Sequence, residues 1–480
     1  MGRLSSWPAL VAFSLAFSAS ATSMAQDLPY VNYLVGERAL GLGGAFVGLA
    51  DDPSATFHNP AGLALLPRTS ISTSFWLVAW RRMQLQSGWQ VPEGASDLRD
   101  DEISSPPLVV TAVARLGRPD AEGNKRHAVG MAIIKPLRLR YRFAAVLGGE
   151  GGPSIAGNLA TIDVVHRDQA RWYGLSYAYA PRARKLAIGA SGFLALRSLV
   201  HEEIELHGES GVPQPSPAGY QIARHSLFSA STWHLVWRLG AVYTPAPRWR
   251  LGAMIQAPGI AVRRTARNRE TTYDTDAAGE ALIRNVEHDG LVPRRPIPWE
   301  LRLGASWFPG PRSLVTADIS LHGGAGRRDA PLRLVDEAVP RPRFLVMESH
   351  RAPSVRAALG AEIVLGRRTP VRGGLLWYRS GLPDVPASSP TLSPNDMNTV
   401  GASLGVGIVL AGGHEVSLGA ACIHSSGMGS ALDQSVPDDP VYRATLAQET
   451  RVLLFLGGGR RAAKRLARKL AKESERWLTR

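Results

Sequence analysis

The strongest constraint on the fold is a two-residue repeat of apolar side chains that recurs from Thr69 onward. Between Arg171 and Ala180, Tyr or Leu at every second position alternates with Gly, Ser or Ala. Two further segments show the same alternation. In one, apolar Val315, Ala317, Ile319 and Leu321 alternate with polar Thr316, Asp318 and Ser320. In the other, apolar Val355, Ala357, Leu359, Ala361, Ile363 and Leu365 alternate with positions that include Arg356, Gly360 and Glu362. A period of two is typical of half-buried β-strands. Because one face is aliphatic and the other polar, we expect lipid outside and a polar interior.

The connections between these segments alternate in length. Short links, such as 181–184 and 245–248, separate long polar segments near 84–106, 144–170, 203–224, 263–297, 324–353, 380–398 and 426–442. Long outer loops and tight periplasmic turns are typical of an up-and-down membrane barrel. The sequence therefore predicts an all-β fold, a transmembrane antiparallel β-barrel of about 14 strands with both termini on the periplasmic side.

The first 25 residues have the composition of an export signal. Arg3 gives a positive start, 9–21 is apolar, and 23–25 supplies small residues for cleavage, which predicts a secretory signal peptide over 1–25. Beyond it there is no run of about 18 apolar residues that a membrane-spanning helix would need. The single Cys422 excludes an intramolecular disulfide. We therefore expect a barrel exported to the outer membrane of a Gram-negative cell.

A glycine-rich apolar stretch, 36–66, precedes the first predicted strand. Glycines such as Gly43 and Gly44 permit tight turns and close approach of neighbouring chain. Asp52-Pro53 and Asn59-Pro60 each have the pattern of an N-cap followed by proline, which predicts two very short helices. The stretch is thus expected to form a compact plug at the mouth of the barrel.

The stretch ALGLGGAFVGLADDPSATFHNPAGLALLP, with its Asn59-Pro60-Ala61 motif, resembles the N-terminal region of the FadL/TodX family of outer-membrane transporters of hydrophobic compounds. Segments 299–304 and 372–384 resemble later hairpins of that family. Similar openings occur in PorV-like outer-membrane proteins, which serve type IX secretion. The resemblance implies a hatch over 26–68, with Asn59, Pro60, Ala61, Gly43 and Gly44 as its gate residues, inside a barrel over 69–457.

The resemblance also implies a route for substrate, which would enter from outside and leave sideways at a kinked third strand. The third predicted strand, 127–143, contains Pro136. Proline cannot donate to a strand ladder and marks an edge or a bulge. We therefore expect the lateral opening at Pro136; a simple bend near the rim is the alternative. His58 stands where the family commonly has an aromatic residue, and we expect it to satisfy a local hydrogen bond rather than to act as a metal ligand or proton switch.

The C-terminal residues 458–480 are predicted to form a basic amphipathic helix in the periplasm. Ala463, Leu466, Leu470 and Trp477 recur at helical spacing among nine Lys and Arg residues from Arg460 onward. Such a helix could lie on anionic lipid headgroups, dock on a periplasmic partner, or remain solvated.

The sequence contains no motif of a known catalytic site. His201, Glu202, Glu203, Glu205 and His207 could hold a cation, but a solvated acidic loop is favoured because their spacing matches no metal motif. We expect no enzyme activity, no catalytic residue, no cofactor, no metal and no nucleic-acid partner; the lumen residues that would bind substrate are not identified.

The predicted function is passive uptake of long-chain fatty acids or other hydrophobic small molecules by a monomer surrounded by outer-membrane lipid and lipopolysaccharide. The alternative is a structural or secretion-associated barrel whose C-terminal helix recruits periplasmic partners.

Overall fold

The computed structural model describes residues 35–66, 68–91, 94–104, 109–119, 125–148, 158–181, 185–209, 221–275, 281–293, 296–324, 352–366, 368–382, 384–389, 395–410, 414–435 and 441–460. The predicted signal peptide and nearly all of the predicted C-terminal helix lie outside these ranges. Within them, no helix is long and apolar enough to cross a membrane.

Three short helices precede a long series of strands. The helices are α1 (Glu37–Gly41), α2 (Ala55–His58) and a 3-10 helix (Pro60–Leu65). The strands are β1 (Ser70–Val91), β2 (Gly94–Ser104), β3 (Val109–Leu116), β4 (His127–Gly148), β5 (Asn158–Tyr179), β6 (Leu186–Glu209), β7 (Gln221–Ala246), β8 (Trp249–Gln256), β9 (Ile260–Thr275), β10 (Ala281–Leu291), β11 (Glu300–Gly310), β12 (Ser313–His322), β13 (Ser354–Leu365), β14 (Thr369–Arg379), β15 (Ser388–Ser389), β16 (Asp396–Val409), β17 (His414–Asp433) and β18 (Val441–Arg460).

The strands close into one barrel whose wall pairs are antiparallel. Consecutive strands pair from β3 to β8, β8 pairs with β11, consecutive strands pair from β11 to β14, and β14 pairs with β16. β16, β17 and β18 follow in order, and β18 returns to β1. β1 pairs with β3 at its start and with β2 further along. The all-β barrel is therefore confirmed, while the count of about 14 strands stays a prediction, because β2 and β3 can be taken as one strand or as two.

Alternation along each strand sorts the side chains as the sequence predicts. In β5, Leu175 and Tyr177 are exposed on the outside, and Ser176 and Ala178 are buried on the inside. In β13, Leu359 is exposed on the outer face. Aliphatic and aromatic side chains thus cover the exterior, and the polar positions face the lumen.

The interpretation of the long polar segments as loops is wrong for several of them, whereas nearly all of 324–353 lies outside the described residues. Most of 84–106 belongs to the β1–β2 hairpin, and much of 263–297 belongs to β9 and β10. In these strands charged side chains such as Arg82, Asp101 and Arg267 are exposed where the other strands carry aliphatic ones, so an apolar outer face no longer marks them.

Two strand boundaries also differ from the prediction. The final strand, β18, ends at Arg460 rather than at 457, so Gly458 and Gly459 belong to the wall and not to a helix. The third predicted strand, 127–143, is β4, which continues to Gly148.

Candidate functional site

Residues 35–66, here called the lumen segment, lie inside the barrel and contact wall strands around its circumference. The contacts are close because glycines face the segment from eight strands: Gly130 in β4, Gly189 in β6, Gly240 in β7, Gly252 in β8, Gly304 in β11, Gly360 in β13, Gly374 in β14 and Gly457 in β18. A Cβ atom added to Gly457 would lie 2.6 Å from the Cβ of Glu37. One added to Gly374 would overlap the backbone nitrogen of Gly43. The wall is therefore fitted to the backbone of the lumen segment.

The lumen segment is shaped by local capping and tight turns. Asn59 caps the 3-10 helix, because its Oδ1 accepts a hydrogen bond from the amide of Ala61 at 3.2 Å, as the Asn-Pro pattern predicts. Asp52 instead forms a turn in which its carboxylate accepts from the amide of Ser54 at 2.7 Å, and α2 begins at Ala55. The sequence prediction did not include α1.

The Asn59-Pro60-Ala61 motif joins two parts of the lumen segment to the wall. The Asn59 side-chain amide donates to the carbonyl oxygens of Val47 and of Ala241 in β7, each at 3.0 Å. Pro60 packs so closely on β6 that a Cβ at Gly189 would lie 2.5 Å from its carbonyl carbon. The motif thus acts as a fixed junction between the segment, β6 and β7.

Gly43 and Gly44 lie against the opposite side of the wall. Both have positive φ angles, 65° and 89°, which residues other than glycine rarely adopt. The Gly43 amide donates to the Ser403 hydroxyl in β16 at 3.2 Å. A Cβ on Gly43 would lie 2.5 Å from the carbonyl oxygen of Leu375 in β14.

Wall side chains also bind backbone groups of the lumen segment. Asp318 in β12 accepts from the amides of Phe46 and Val47 at 2.5 and 2.7 Å. Arg250 in β8 donates to the carbonyl of Leu49 at 2.7 Å. These bonds satisfy backbone groups that would otherwise be buried and unpaired.

A buried ion-pair network connects the lumen segment to three further strands. Arg38 pairs with Asp51 within the segment and with Glu362 of β13, the latter at 3.1 Å. Glu362 also pairs with Arg372 of β14 at 2.7 Å, and Arg372 reaches Glu415 of β17. Removing one member of such a network leaves an uncompensated buried charge.

Two acidic groups of the lumen segment are shifted towards their neutral forms. Burial, assisted by the nearby Glu37 carboxyl, raises the pKa of Asp52 to about 7. Burial also raises the pKa of Glu37 above its ordinary value, although the Ser74 hydroxyl of β1, which donates to its carboxylate at 2.5 Å, opposes the shift.

His58 makes the local hydrogen bond that the sequence predicts. Its Nε2 lies 2.7 Å from the carbonyl oxygen of Val35, and its ring packs edge-on against Phe46 and Phe57. Burial lowers the pKa of His58 to about 3, so the ring is neutral near pH 7 and donates through Nε2. The proton-switch alternative is therefore disfavoured.

Pro136 is buried in β4 at a break in the strand ladder. The β4–β5 register shifts between Ile134 and Leu137. On the other edge, the β3–β4 ladder ends at the pair Val110–Ile133, and among the described residues β2 has no ladder pairing with β4. Side chains join β2 and β4 instead, as in the 3.2 Å contact between Arg138 and Glu102.

An apolar cluster connects this break with the lumen segment. Phe57 belongs to one apolar cluster with Ile134 and Leu137, which flank the break, and the same cluster contains Val35, Val109, Ala132, Ala170, Trp172, Phe193, Ala195, Val236 and Ile297. The guanidinium of Arg238 lies 4.0 Å from the centre of the Phe57 ring and pairs with Glu300 at 3.3 Å. Apolar surface therefore runs from the lumen segment to the inner side of the break.

The acidic cluster in β6 is not a solvated loop. His201, Glu203 and Glu205 are buried and face inward, and His201 lies 3.1 Å, measured between Nδ1 atoms, from His166. Glu202 lies on the opposite face, where its carboxylate contacts His225 at 2.9 Å. No group of three or more His, Cys, Asp or Glu side chains among the described residues is placed to hold a metal ion.

The structure brings together Asn59, Pro60 and Ala61 on one side of the lumen and Gly43 and Gly44 on another, and it places Pro136 beside the apolar cluster. Sequence reasoning missed the anchoring residues Asp318, Arg38, Glu362, Arg372 and Arg250. For the four wall residues the signal was present, because an ionisable residue on the polar face of an alternating strand points into the lumen. Arg38 lies in α1, where no such pattern marks it.

Comparison with known proteins shows what this arrangement is similar to. No protein-family model and no curated protein sequence matches the chain. Among solved structures, a FadL homologue of Pseudomonas aeruginosa shares 14% identity over 92% of this chain and 100% of its own, with a TM-score of 0.62. The Pseudomonas putida toluene transporter TodX shares 14% sequence identity over 88% of this chain and 97% of its own, with a TM-score of 0.53. The Ralstonia pickettii toluene transporter TbuX shares 16% sequence identity over 90% of this chain and 100% of its own, with a TM-score of 0.52. The resemblance predicted from the sequence is thus confirmed for the fold.

Proposed function

We propose that the chain is an outer-membrane channel for passive uptake of hydrophobic small molecules, in which the lumen segment is the hatch. The proposal depends on one observation above all: a buried segment that fills the lumen lies beside a break in the wall. Substrate would enter from outside and leave sideways at Pro136. The driving force is the gradient of the substrate itself, so neither an energy source nor a cofactor is needed.

The hatch role is supported by the way the lumen segment is held. Many of its wall contacts are hydrogen bonds to single side chains, such as Asp318 and Arg250, rather than a continuous ladder. Contacts of this kind can be exchanged one at a time, whereas a strand ladder must separate cooperatively. Displacement of part of the segment would open the lumen without unfolding the wall.

The lateral exit is supported by the break at Pro136 and by the apolar cluster behind it. A hydrophobic molecule in the lumen avoids water by moving along apolar surface. The cluster reaches from Phe57 to Ile134 and Leu137, and these two residues flank the break. A molecule following that surface would reach the membrane interior without entering the periplasm.

The substrate class is supported by the fold comparison, and the membrane location by the exterior. The similar structures include transporters of toluene and a FadL homologue. Exposed aliphatic and aromatic side chains on the outer face, such as Leu175 and Leu404, suit a lipid environment. We therefore propose long-chain fatty acids or small hydrocarbons as cargo.

The test measures entry of labelled oleate and of labelled toluene into cells that express the protein and lack their own carriers. Two variants heal the break in part or in full: Pro136→Ala restores only the missing backbone donor, and Pro136→Ala with Lys135 deleted also leaves one residue opposite Arg171. Pro370→Ala is the matched control, because Pro370 lies in β14 without a register shift. A chain truncated after Arg460 tests the contribution of the C-terminal residues.

We expect the wild type, the Pro370→Ala control and the truncated chain to import at least one label, and the two healed variants to import it more slowly. Normal import by both healed variants would keep the transport function and discard the lateral exit. If no form imports either label while truncation disrupts secretion or envelope assembly, the secretion-associated alternative replaces transport.

A further inference from the structure

Three arginines without an ion-pair partner among the described residues form a basic patch on the outer surface of β4 and β5. Arg140 and Arg167 are directly opposite in the β4–β5 ladder, so their side chains share one face. That face is the exterior, because the next pair, Tyr141 and His166, stacks on the inside with ring centroids 4.7 Å apart. Arg171 lies on the same outer face of β5, beside the break in β4.

The absence of partners distinguishes these arginines from their neighbours. Arg138 pairs with Glu102, and Arg142 pairs with Asp163 at 2.6 Å. Arg140, Arg167 and Arg171 are exposed and form no ion pair with any acidic residue that the structure describes. Like charges directly opposite on neighbouring strands are destabilising. Two facing arginines without an anionic partner among the described residues are therefore open to an anion from outside the chain.

The patch lies at the height of a lipid headgroup. Below it on β4 and β5, the outer face carries Met131, Ile133, Tyr173, Leu175 and Tyr177, all exposed. Tyr179 lies at the short-turn end of β5. With a rise of about 3.4 Å per residue and a strand tilt of about 40° from the barrel axis, Arg171 lies about 20 Å above Tyr179 along that axis, and Arg167 about 30 Å above it. The apolar band of a membrane barrel is about 25 Å tall. These two arginines therefore bracket its outer boundary.

We propose that Arg140, Arg167 and Arg171 bind the phosphate groups of an outer-leaflet lipid beside the wall break. Arginine suits this role because its planar guanidinium can donate two parallel hydrogen bonds to one phosphate. The acyl chains of the same lipid would cover Ile133 and Tyr173 immediately below. The bound lipid offsets the repulsion between Arg140 and Arg167 and holds the outer part of β4 against β5.

The experiment titrates purified protein in detergent with lipopolysaccharide and counts bound lipid by native mass spectrometry. A second titration uses the same lipopolysaccharide after enzymatic removal of its phosphates, and a third adds inorganic phosphate as competitor. The test variant replaces Arg140, Arg167 and Arg171 with Gln. The matched control carries the same loss of charge at the short-turn end, at Arg248, Arg312 and Arg368, which are also exposed.

We expect the wild type and the control to bind the phosphorylated lipid at least about tenfold more tightly than the dephosphorylated one, and the test variant to lose that preference. Equal binding of both lipids by the wild type, or an unchanged preference in the test variant, would overturn the proposal. An equal loss in the control would assign the effect to net charge and also overturn it. So would full displacement of the lipid by millimolar inorganic phosphate, because the site would then bind free phosphate. A melting temperature equal to that of the wild type verifies that each variant is folded.

Discussion

The carboxylate of Asp318 accepts a hydrogen bond of 2.7 Å from the backbone amide of Val47, and so attaches the middle of the lumen segment to β12. The same oxygen accepts from the amide of Phe46 at 2.5 Å. A carboxylate that accepts two adjacent amides is a stronger anchor than a neutral acceptor. The wall thus holds the segment by its backbone, which leaves the side chains of Phe46 and Val47 to pack.

Replacement of Asp318 by Ala should loosen the lumen segment. Two buried amides would lose their acceptor, at a cost of roughly 1–3 kcal/mol for each amide left unpaired. We expect a lower melting temperature and faster protease cleavage within 35–66. Asp289→Ala is the control, because Asp289 is exposed and its partner Arg267 lies at the surface; it should leave both readouts close to the wild type. Equal protease resistance in Asp318→Ala and the wild type would contradict an anchoring role.

Two adjacent glycines of β14 give a matched pair of substitutions. Gly374→Ala should displace the lumen segment, because the new methyl group would overlap the backbone of Gly43. Gly373→Ala should be tolerated, because its nearest neighbour, Leu404, would lie at an ordinary 3.7 Å. The measurement is influx of a small polar dye into liposomes that contain each variant. Gly374→Ala should leak more than Gly373→Ala, and equal leakage would show that the fit at Gly374 does not close the lumen.

Because Arg38 pairs with two buried carboxylates, replacing its side chain should lower the stability of the protein strongly. Arg38→Met would leave the carboxylates of Asp51 and Glu362 with less compensation in a buried site, at a cost of about 3–5 kcal/mol. The free energy of unfolding in urea is the measurement. Arg82→Gln serves as comparison, because the Arg82–Asp101 pair is half exposed on the outer surface and should matter little. Similar losses in both variants would argue against a special role for the buried network.

Stability should depend on pH through Asp52. Its pKa is raised to about 7 in the folded protein from an ordinary value of 3.8. Folding therefore favours the protonated carboxyl, and this contribution is fully present below pH 3.8 and lost as pH rises through about 7. The melting temperature of the wild type should fall between pH 5 and pH 8. Asp52→Asn, which cannot ionise, should show a smaller fall; the same fall in both proteins would assign the dependence to other groups such as Glu37.

The sequence predicts the wall best where its exterior is apolar. From Arg171 to Ala180 the inward and outward positions agree with the prediction, because an apolar exterior and a polar lumen impose a strict alternation. Beyond the apolar band this constraint ends, and the sequence predicts loops where β2, β9 and β10 lie. Strand pairing persists there because backbone hydrogen bonds need no apolar face.

The lumen segment was predictable only in part. The Asn59 cap follows from local chemistry, since Asn-Pro is a helix-start pattern whatever lies around it. The partners of Arg38 and of Asp318 were not predictable, because Glu362 and Phe46 are each separated from them by more than 250 residues in sequence. Such pairs depend on barrel closure and strand register, which no local pattern specifies.

The seam between β1 and β18 has a consequence for how the protein is made. The lumen segment precedes β1 in the chain, yet Glu37 lies against Gly457, near the end of β18. The seam can form only after the last described strand has been synthesised, and the contact of Glu37 with Gly457 can be made only then. Closure of the wall and packing of the earliest described residues against it therefore both wait for β18.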